Sequence, residues 1–198
     1  MIAKSRALLV AALAASAIVL GTAAALFAIN RPPAQNAAPP LFGGHFALST
    51  ADGRSVSDQS YRGKWLLVYF GYTYCPDACP TALTAISSAL ERLGPLADKF
   101  QPLFITVDPQ RDTPEVLTAY IKSFDPRIIP LVGTPEQIAA AAKAYHVYYA
   151  VRNFGGGAYA IDHSSFIYVV DPNGRFARLL TGDVPGHQLA DELRRLLT

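Results

Sequence analysis

The chain has two cysteines, Cys75 and Cys79, and both lie in the segment FGYTYCPDACP. This segment follows the apolar run WLLVYF, which predicts a strand buried on both faces, and it precedes a helix expected to begin near Pro80. Ligands of open α/β sheets bind beyond the carboxyl ends of strands, so a functional site is expected here. A thiol at a helix N-terminus favours the thiolate, which is both the nucleophile and the metal ligand.

The spacing of the two cysteines leaves several chemistries open. Side chains four residues apart lie about one helical turn from each other, close enough to share a metal ion or to form a disulfide. A plain structural disulfide is a further interpretation, but a bridge that encloses so few residues removes little entropy from the unfolded chain. Metal binding and thiol–disulfide exchange therefore remain the two functional alternatives.

Strands and helices alternate in the part of the chain that must position these thiols. The turn signal Asp52-Gly53 predicts a hairpin within residues 46–57. Apolar spacing and capping residues then predict, in order, a strand at 65–70, a helix at 80–94, a strand at 103–107, a helix at 113–124, a short strand, a helix from 134, a hairpin at 164–180 and a helix at 185–197. This order predicts right-handed βαβ units in a mixed sheet.

The first forty residues indicate the cellular compartment. Residues 7–29 are an uncharged stretch of 23 residues, which as a helix reaches about 35 Å and can cross a hydrocarbon core of about 30 Å. The bases Lys4 and Arg6 precede this stretch, so the positive-inside rule places residues 1–6 in the cytoplasm and the folded part in the periplasm. A cleaved signal peptide is the alternative to this single-pass anchor in the inner membrane. Residues 30–41, rich in proline and alanine, predict a tether, and residues 42–198 predict one folded domain.

The charge balance argues against a nucleic-acid partner. The chain has 17 Lys and Arg against 15 Asp and Glu, and two of the bases precede the predicted anchor. The predicted folded domain therefore lacks the excess of positive charge that nucleic-acid binding requires.

Four segments resemble the successive signature blocks of the Sco/SenC copper chaperones, namely FGYTYCPDACPTALTAISSALERLG, ITVDPQRDTPEVLTAYIKSFDPRI, GTPEQIAAAAKAYHVYY and DHSSFIYVVDPNGRF. The resemblance covers residues 42–198 and implies an α/β, thioredoxin-like fold: a mixed central sheet flanked by helices, with an N-terminal β-hairpin and a single N-terminal transmembrane helix. The cysteines of the family's C-P-D-x-C-P motif fall on Cys75 and Cys79, and the histidine of its D-H-S block falls on His163.

The same resemblance implies that these three residues bind copper, as Cu(I) or Cu(II). It also implies delivery of copper to the copper A-bearing subunit of cytochrome c oxidase, with other copper chaperones and thiol reductases as further partners. Two thiolates and one imidazole suit Cu(I), which is consistent with this expectation. We therefore expect a metallochaperone rather than an enzyme.

Two alternatives stay open at the sequence level. A thiol–disulfide oxidoreductase would use Cys75 and Cys79 as a redox pair to reduce the acceptor's cysteines, but the C-x-x-x-C spacing and a histidine in place of the usual proline argue against it. A structural zinc site would ordinarily need four protein ligands.

Two aspartates close to the predicted ligands have two interpretations each. Asp77, between the cysteines, is either an oxygen ligand or a residue that supports the ligands. Asp162 either orients His163 or caps a turn. The family often has a histidine where this chain has Tyr74, and the stretch 153–158 is richer in glycine than usual.

The remaining histidines and one loop pair have ordinary explanations. His45, His146 and His187 are expected to be solvated or to pack, without binding metal. Arg111 and Asp112, in the loop after the second predicted central strand, either contact a partner or pair within the loop.

Overall fold

The computed structural model of the protein describes residues 43–198. The predicted cytoplasmic segment, membrane anchor and tether, and the predicted start of the domain at residue 42, lie outside the described residues. Between residues 43 and 198, no helix is long and apolar enough to cross a membrane.

Strands of the described residues form one mixed sheet and one separate hairpin. Their bounds are β1 (Ala47–Thr50), β2 (Ser55–Ser57), β3 (Trp65–Gly71), β4 (Phe100–Thr106), β5 (Ile129–Val132), β6 (Tyr149–Gly155), β7 (Ala158–His163), β8 (Phe166–Val170) and β9 (Phe176–Thr181). Seven strands make the sheet in the order β2-β1-β5-β4-β3-β8-β9, and β6 pairs with β7. Strands β3, β4 and β5 are parallel, whereas β1 and β8 join them in antiparallel orientation.

Within residues 43–198, four α-helices flank the sheet: α1 (Ala78–Leu93), α2 (Pro114–Ile121), α3 (Pro135–Ala144) and α4 (Gly186–Arg195). The predicted caps of α2 and α3 are confirmed, because Thr113 accepts a hydrogen bond from the N–H of Val116 and Thr134 forms a capping box with Gln137. Two short 3₁₀ helices, Asp58–Tyr61 and Gly94–Lys99, complete the elements of the described residues.

The core lies around β3, as the apolar run predicts. All residues of β3 from Leu66 to Gly71 are buried, and the strand lies between the parallel β4 and the antiparallel β8. A strand with neighbours on both edges has its backbone groups paired, so its end is a fixed point from which a site can be built. The mixed sheet, the flanking helices and the N-terminal hairpin β1–β2 are all confirmed.

Predicted element bounds shift by a few residues. Helix α1 begins at Ala78 rather than Pro80, β4 begins at Phe100 rather than residue 103, and α2 ends at Ile121 rather than residue 124.

The hairpin β6–β7 is an element that the sequence patterns do not predict. Three consecutive glycines with positive φ, Gly155, Gly156 and Gly157, form the end of β6 and the turn that leads to β7. Residues 151–158 are all exposed, so the apolar alternation that marks a half-buried strand is weak. His163, which directly precedes the predicted hairpin at 164–180, is the last residue of β7.

Candidate metal centre

The structure brings the three predicted ligand residues together. One ligand atom from each of Cys75, Cys79 and His163 lies within 4.8 Å of the others. The Sγ atom of Cys79 lies 3.4 Å from Nε2 of His163. Of the four histidines, all within residues 43–198, only His163 belongs to this cluster, and His45, His146 and His187 are exposed as expected.

The end of β3 and the start of α1 position the two sulfur atoms. Cys79 is fully buried in the first turn of α1, and Cys75 is half-buried in the preceding loop. Gly71, the last residue of β3, makes room for the buried sulfur: a Cβ atom there would lie only 2.7 Å from Sγ of Cys79. The glycine is therefore required by close approach of the thiol to the strand.

The two thiols have opposite protonation tendencies. A hydrogen bond from Cys79 lowers the pKa of Cys75 far below its ordinary value, and His163 and the backbone N–H groups of Cys79 and Asp77 lower it further, although partial burial opposes the shift. Conversely, the hydrogen bond to Cys75 and the burial of Cys79 raise the pKa of the Cys79 thiol. These opposite shifts favour the thiolate at the half-buried cysteine and the thiol at the buried one.

His163 is oriented with Nε2 toward the sulfurs. Its Nδ1 lies 3.0 Å from the carbonyl oxygen of Ser164, and because a carbonyl only accepts, Nδ1 must be the donor. With Nδ1 acting as a donor, Nε2 is the ring nitrogen left to bind a metal ion. The rings of Tyr69 and Tyr72 flank the imidazole edge-on, with centroids at 6.2 and 5.8 Å.

Neither aspartate near the ligands has a side chain in the cluster. Asp77 is the N-cap residue of α1; it is exposed, and its carboxylate accepts a hydrogen bond from the hydroxyl of Thr81. Asp162 is exposed and forms an ion pair with Arg152 at 3.3 Å, whereas the carbonyl of Ser164 orients His163. Asp77 reaches the site through its backbone N–H, which stabilises the Cys75 thiolate.

A buried carboxylate in the loop after β4 fixes the cysteine loop. Asp112 is fully buried and accepts hydrogen bonds from the N–H and hydroxyl of Thr73, at 3.1 and 2.6 Å, and from the hydroxyl of Thr106 at 2.6 Å. Burial raises the pKa of this carboxyl group, and the three donors oppose the shift. Of the two interpretations of Asp112, pairing within the protein is the one observed. A lone aspartate before a helix cap gives no sequence signal for this role.

A mixed sheet flanked by helices, with two thiols and an imidazole beyond the end of a central parallel strand, defines a thioredoxin-like protein with a candidate site for a soft metal ion. The chain belongs to the SCO1/SenC family, whose sequence profile matches residues 34–198. The expected thioredoxin-like fold is thereby confirmed.

Individual relatives support this assignment. The chain is 40% identical to protein SenC of Rhodobacter capsulatus over 192 residues, which are 92% of this chain and 86% of SenC. It is 39% identical to the mitochondrial SCO1 homologue of Homo sapiens over 140 residues, 69% of this chain but 46% of that longer protein. The structure of Bradyrhizobium japonicum ScoI with copper bound is 42% identical, with a TM-score of 0.73 over 78% of this chain and 98% of ScoI.

Proposed function

We propose that this protein is a copper chaperone that binds one copper ion through Cys75, Cys79 and His163 and delivers it during assembly of the copper A centre of cytochrome c oxidase. The observation that supports this most directly is the convergence of two sulfurs and one imidazole nitrogen within 4.8 Å. The copper-bound ScoI structure of a 42% identical relative supports the choice of metal.

The donor set favours copper as cargo. Thiolates are soft ligands that select Cu(I), and an imidazole completes a three-coordinate site. Structural zinc is disfavoured, because it usually has four protein ligands and the cluster within residues 43–198 has three. An open coordination position allows an acceptor thiolate to bind the ion before a donor leaves, so transfer proceeds by ligand exchange without a free ion.

Cu(I) binding to the full-length reduced chain, measured by competition with a chromophoric chelator, tests this function. We expect one ion per chain, loss of tight binding in Cys75→Ser and Cys79→Ser, and weaker binding in His163→Ala. His187→Ala is the matched control, because His187 is an exposed histidine outside the cluster. Tight binding that survives His163→Ala would remove this residue from the ligand set.

Delivery requires a second measurement. The copper-loaded chain is mixed with a metal-free copper A domain, and copper on each protein is determined after separation. We expect copper transfer to the intact acceptor and no transfer to an acceptor that lacks its two cysteines. A chain that retains its copper against the intact acceptor would contradict delivery.

We further infer that residues 7–29 anchor the protein in the inner membrane, with residues 1–6 in the cytoplasm, 30–41 as a tether and 42–198 as the periplasmic domain. The uncharged length and the preceding bases support this topology. Membrane fractionation followed by mass measurement of the mature chain distinguishes an anchor from a cleaved signal peptide. Recovery of a chain that begins after residue 25 would contradict the anchor.

A thiol–disulfide oxidoreductase is the second candidate, and the lowered pKa of Cys75 favours it. In that reaction two thiols, Cys75 and Cys79, become a disulfide while the acceptor disulfide becomes two thiols, with two electrons and two protons transferred. Equilibration of the pair with glutathione buffers gives its reduction potential. A potential outside the range of periplasmic thiol partners would exclude a catalytic role.

A further inference from the structure

Arg111 lies close to aromatic rings from the two parts of the chain that bear the candidate ligands. Its guanidinium carbon lies 4.7 Å from the ring centroid of Tyr74, the residue that precedes Cys75. It also lies 3.6 Å from the ring centroid of Tyr159, which belongs to β7, the strand that ends at His163. Both distances are within the range of cation–π interactions.

Hydrogen bonds connect Arg111 to β7 in addition to these ring contacts. Its Nη1 donates to the backbone oxygen of Tyr159 at 2.9 Å, and its Nε donates to the buried carboxylate of Asp108. The same carboxylate accepts a hydrogen bond from the hydroxyl of Tyr159 at 2.8 Å. Arg111 and Asp108 therefore bind both the backbone and the side chain of Tyr159.

Contacts of this kind, together with the buried side chain of Ile161, hold the hairpin β6–β7 in position. It has two strands only, it is not part of the main sheet, and residues 151–158 are exposed. Isolated two-stranded hairpins are marginally stable in water. A second contact, from the N–H of Ile161 to the hydroxyl of Tyr72 at 3.3 Å, lies nearer to His163. Tyr159 is thus a major point of attachment for the strand that presents the imidazole.

We propose that Arg111 is the positioning residue for the third copper ligand: by binding Tyr159 it fixes β7 so that Nε2 of His163 faces the two sulfurs. This inference rests on the proposed copper-binding function. The proposal assigns a role to Arg111, which the sequence places only in a loop. It also divides the site into a cysteine pair that binds copper by itself and a histidine whose contribution to binding depends on Arg111.

The first test needs no metal. Hydrogen–deuterium exchange is measured on the reduced, metal-free full-length chain for wild type, Arg111→Met and Arg127→Met. Arg127 is the matched control, because it pairs with Asp125 in the loop between α2 and β5, away from the hairpin. We expect faster exchange of the amides of residues 158–163 in Arg111→Met only. Unchanged exchange in this strand would overturn the proposal.

The second test uses copper and a double-mutant cycle. Arg111→Met should weaken Cu(I) binding about tenfold, as loss of a residue that orients a ligand typically does, with no further loss when combined with His163→Ala. The Cu(II) form of Arg111→Met should also lose the nitrogen hyperfine coupling of the imidazole in electron paramagnetic resonance. Arg127→Met should bind copper like wild type. Additive losses, or retained nitrogen coupling in Arg111→Met, would overturn the proposal.

Two further comparisons distinguish loss of His163 positioning from loss of folding and from absence of copper binding. If Arg111→Met does not fold, Arg111→Lys replaces it, since lysine keeps the charge but cannot donate to Asp108 and Tyr159 with the planar geometry of arginine; the same loss of nitrogen coupling is expected. Wild type that binds no copper would refute the proposed function, whereas wild type that binds and Arg111 variants that bind equally well would refute only the positioning role.

Discussion

Replacing Gly71 by alanine should weaken copper binding far more than a matched change elsewhere in the sheet. A Cβ atom at this position would lie 2.7 Å from Sγ of Cys79 and 2.9 Å from Cε2 of Phe104. Non-bonded heavy atoms settle about 3.5–4.0 Å apart, so Sγ of Cys79 and β3 have to separate by about 1 Å. A metal site tolerates about 0.5 Å of displacement, and we therefore expect Cu(I) affinity to fall by about tenfold or more.

The same substitution also overpacks the core, and a control must separate the two effects. Overpacking costs about 1–3 kcal/mol, and each kcal/mol lowers Tm by about 2–4 °C in a chain of this size. Gly133→Ala is the matched control, because its Cβ would lie 2.8 Å from Leu48 in a part of the fold without ligands. Chelator competition and thermal unfolding are measured on both variants. Wild-type affinity in Gly71→Ala, or an equal loss of affinity in Gly133→Ala, would refute the reasoning.

Two further predictions concern the thiols and the buried carboxylate. Because the pKa of Cys75 is lowered and that of Cys79 is raised, iodoacetamide should alkylate Cys75 of the metal-free chain rapidly down to about pH 6 and leave Cys79 unmodified. Tandem mass spectrometry of the peptide that contains both cysteines measures the labelling of each. Equal labelling of the two cysteines would contradict the assignment. Asp112→Asn turns an amide NH₂ toward the Thr73 and Thr106 donors and should lower the free energy of unfolding in urea by about 1–3 kcal/mol. Asp183→Asn, at an exposed site, is the control and should lower it by less than about 0.5 kcal/mol. Similar values for the two variants would argue against the hydrogen-bond network around Asp112.

The cysteine half of the site follows from local sequence signals. An apolar run predicts β3, and the cysteines follow it directly, so their place beyond the end of a central strand is fixed by chain connectivity alone. Thr113-Pro114 and Thr134 form the predicted caps because capping depends on neighbouring residues only. These local signals do not predict the contact of Cys79 with Gly71, because a glycine in the sequence does not indicate which side chain will approach it.

The histidine half could not be predicted from local patterns in the same way. His163 is assigned through its resemblance to a family block, while the hairpin that presents it has mostly exposed residues and no periodic pattern. Its position comes from contacts between residues far apart in the chain, such as Arg111 with Tyr159 and Tyr72 with Ile161. Single positions of this kind have no spacing to detect, which is why Arg111 has two equal interpretations in the sequence.

The two halves also differ in how much of the fold must move to release a ligand. The sulfur of Cys79 lies against β3 in the core, and Asp112 fixes the loop that leads to Cys75. Removing either thiolate from a bound ion therefore disturbs the core and the fixed cysteine loop, whereas His163 ends a two-stranded hairpin that lies outside the main sheet and is exposed over residues 151–158, with Ile161 as its buried residue. Ligand exchange with an acceptor should follow the route that costs the donor fold least, so we expect the first incoming thiolate to replace His163 while both cysteines still bind the copper.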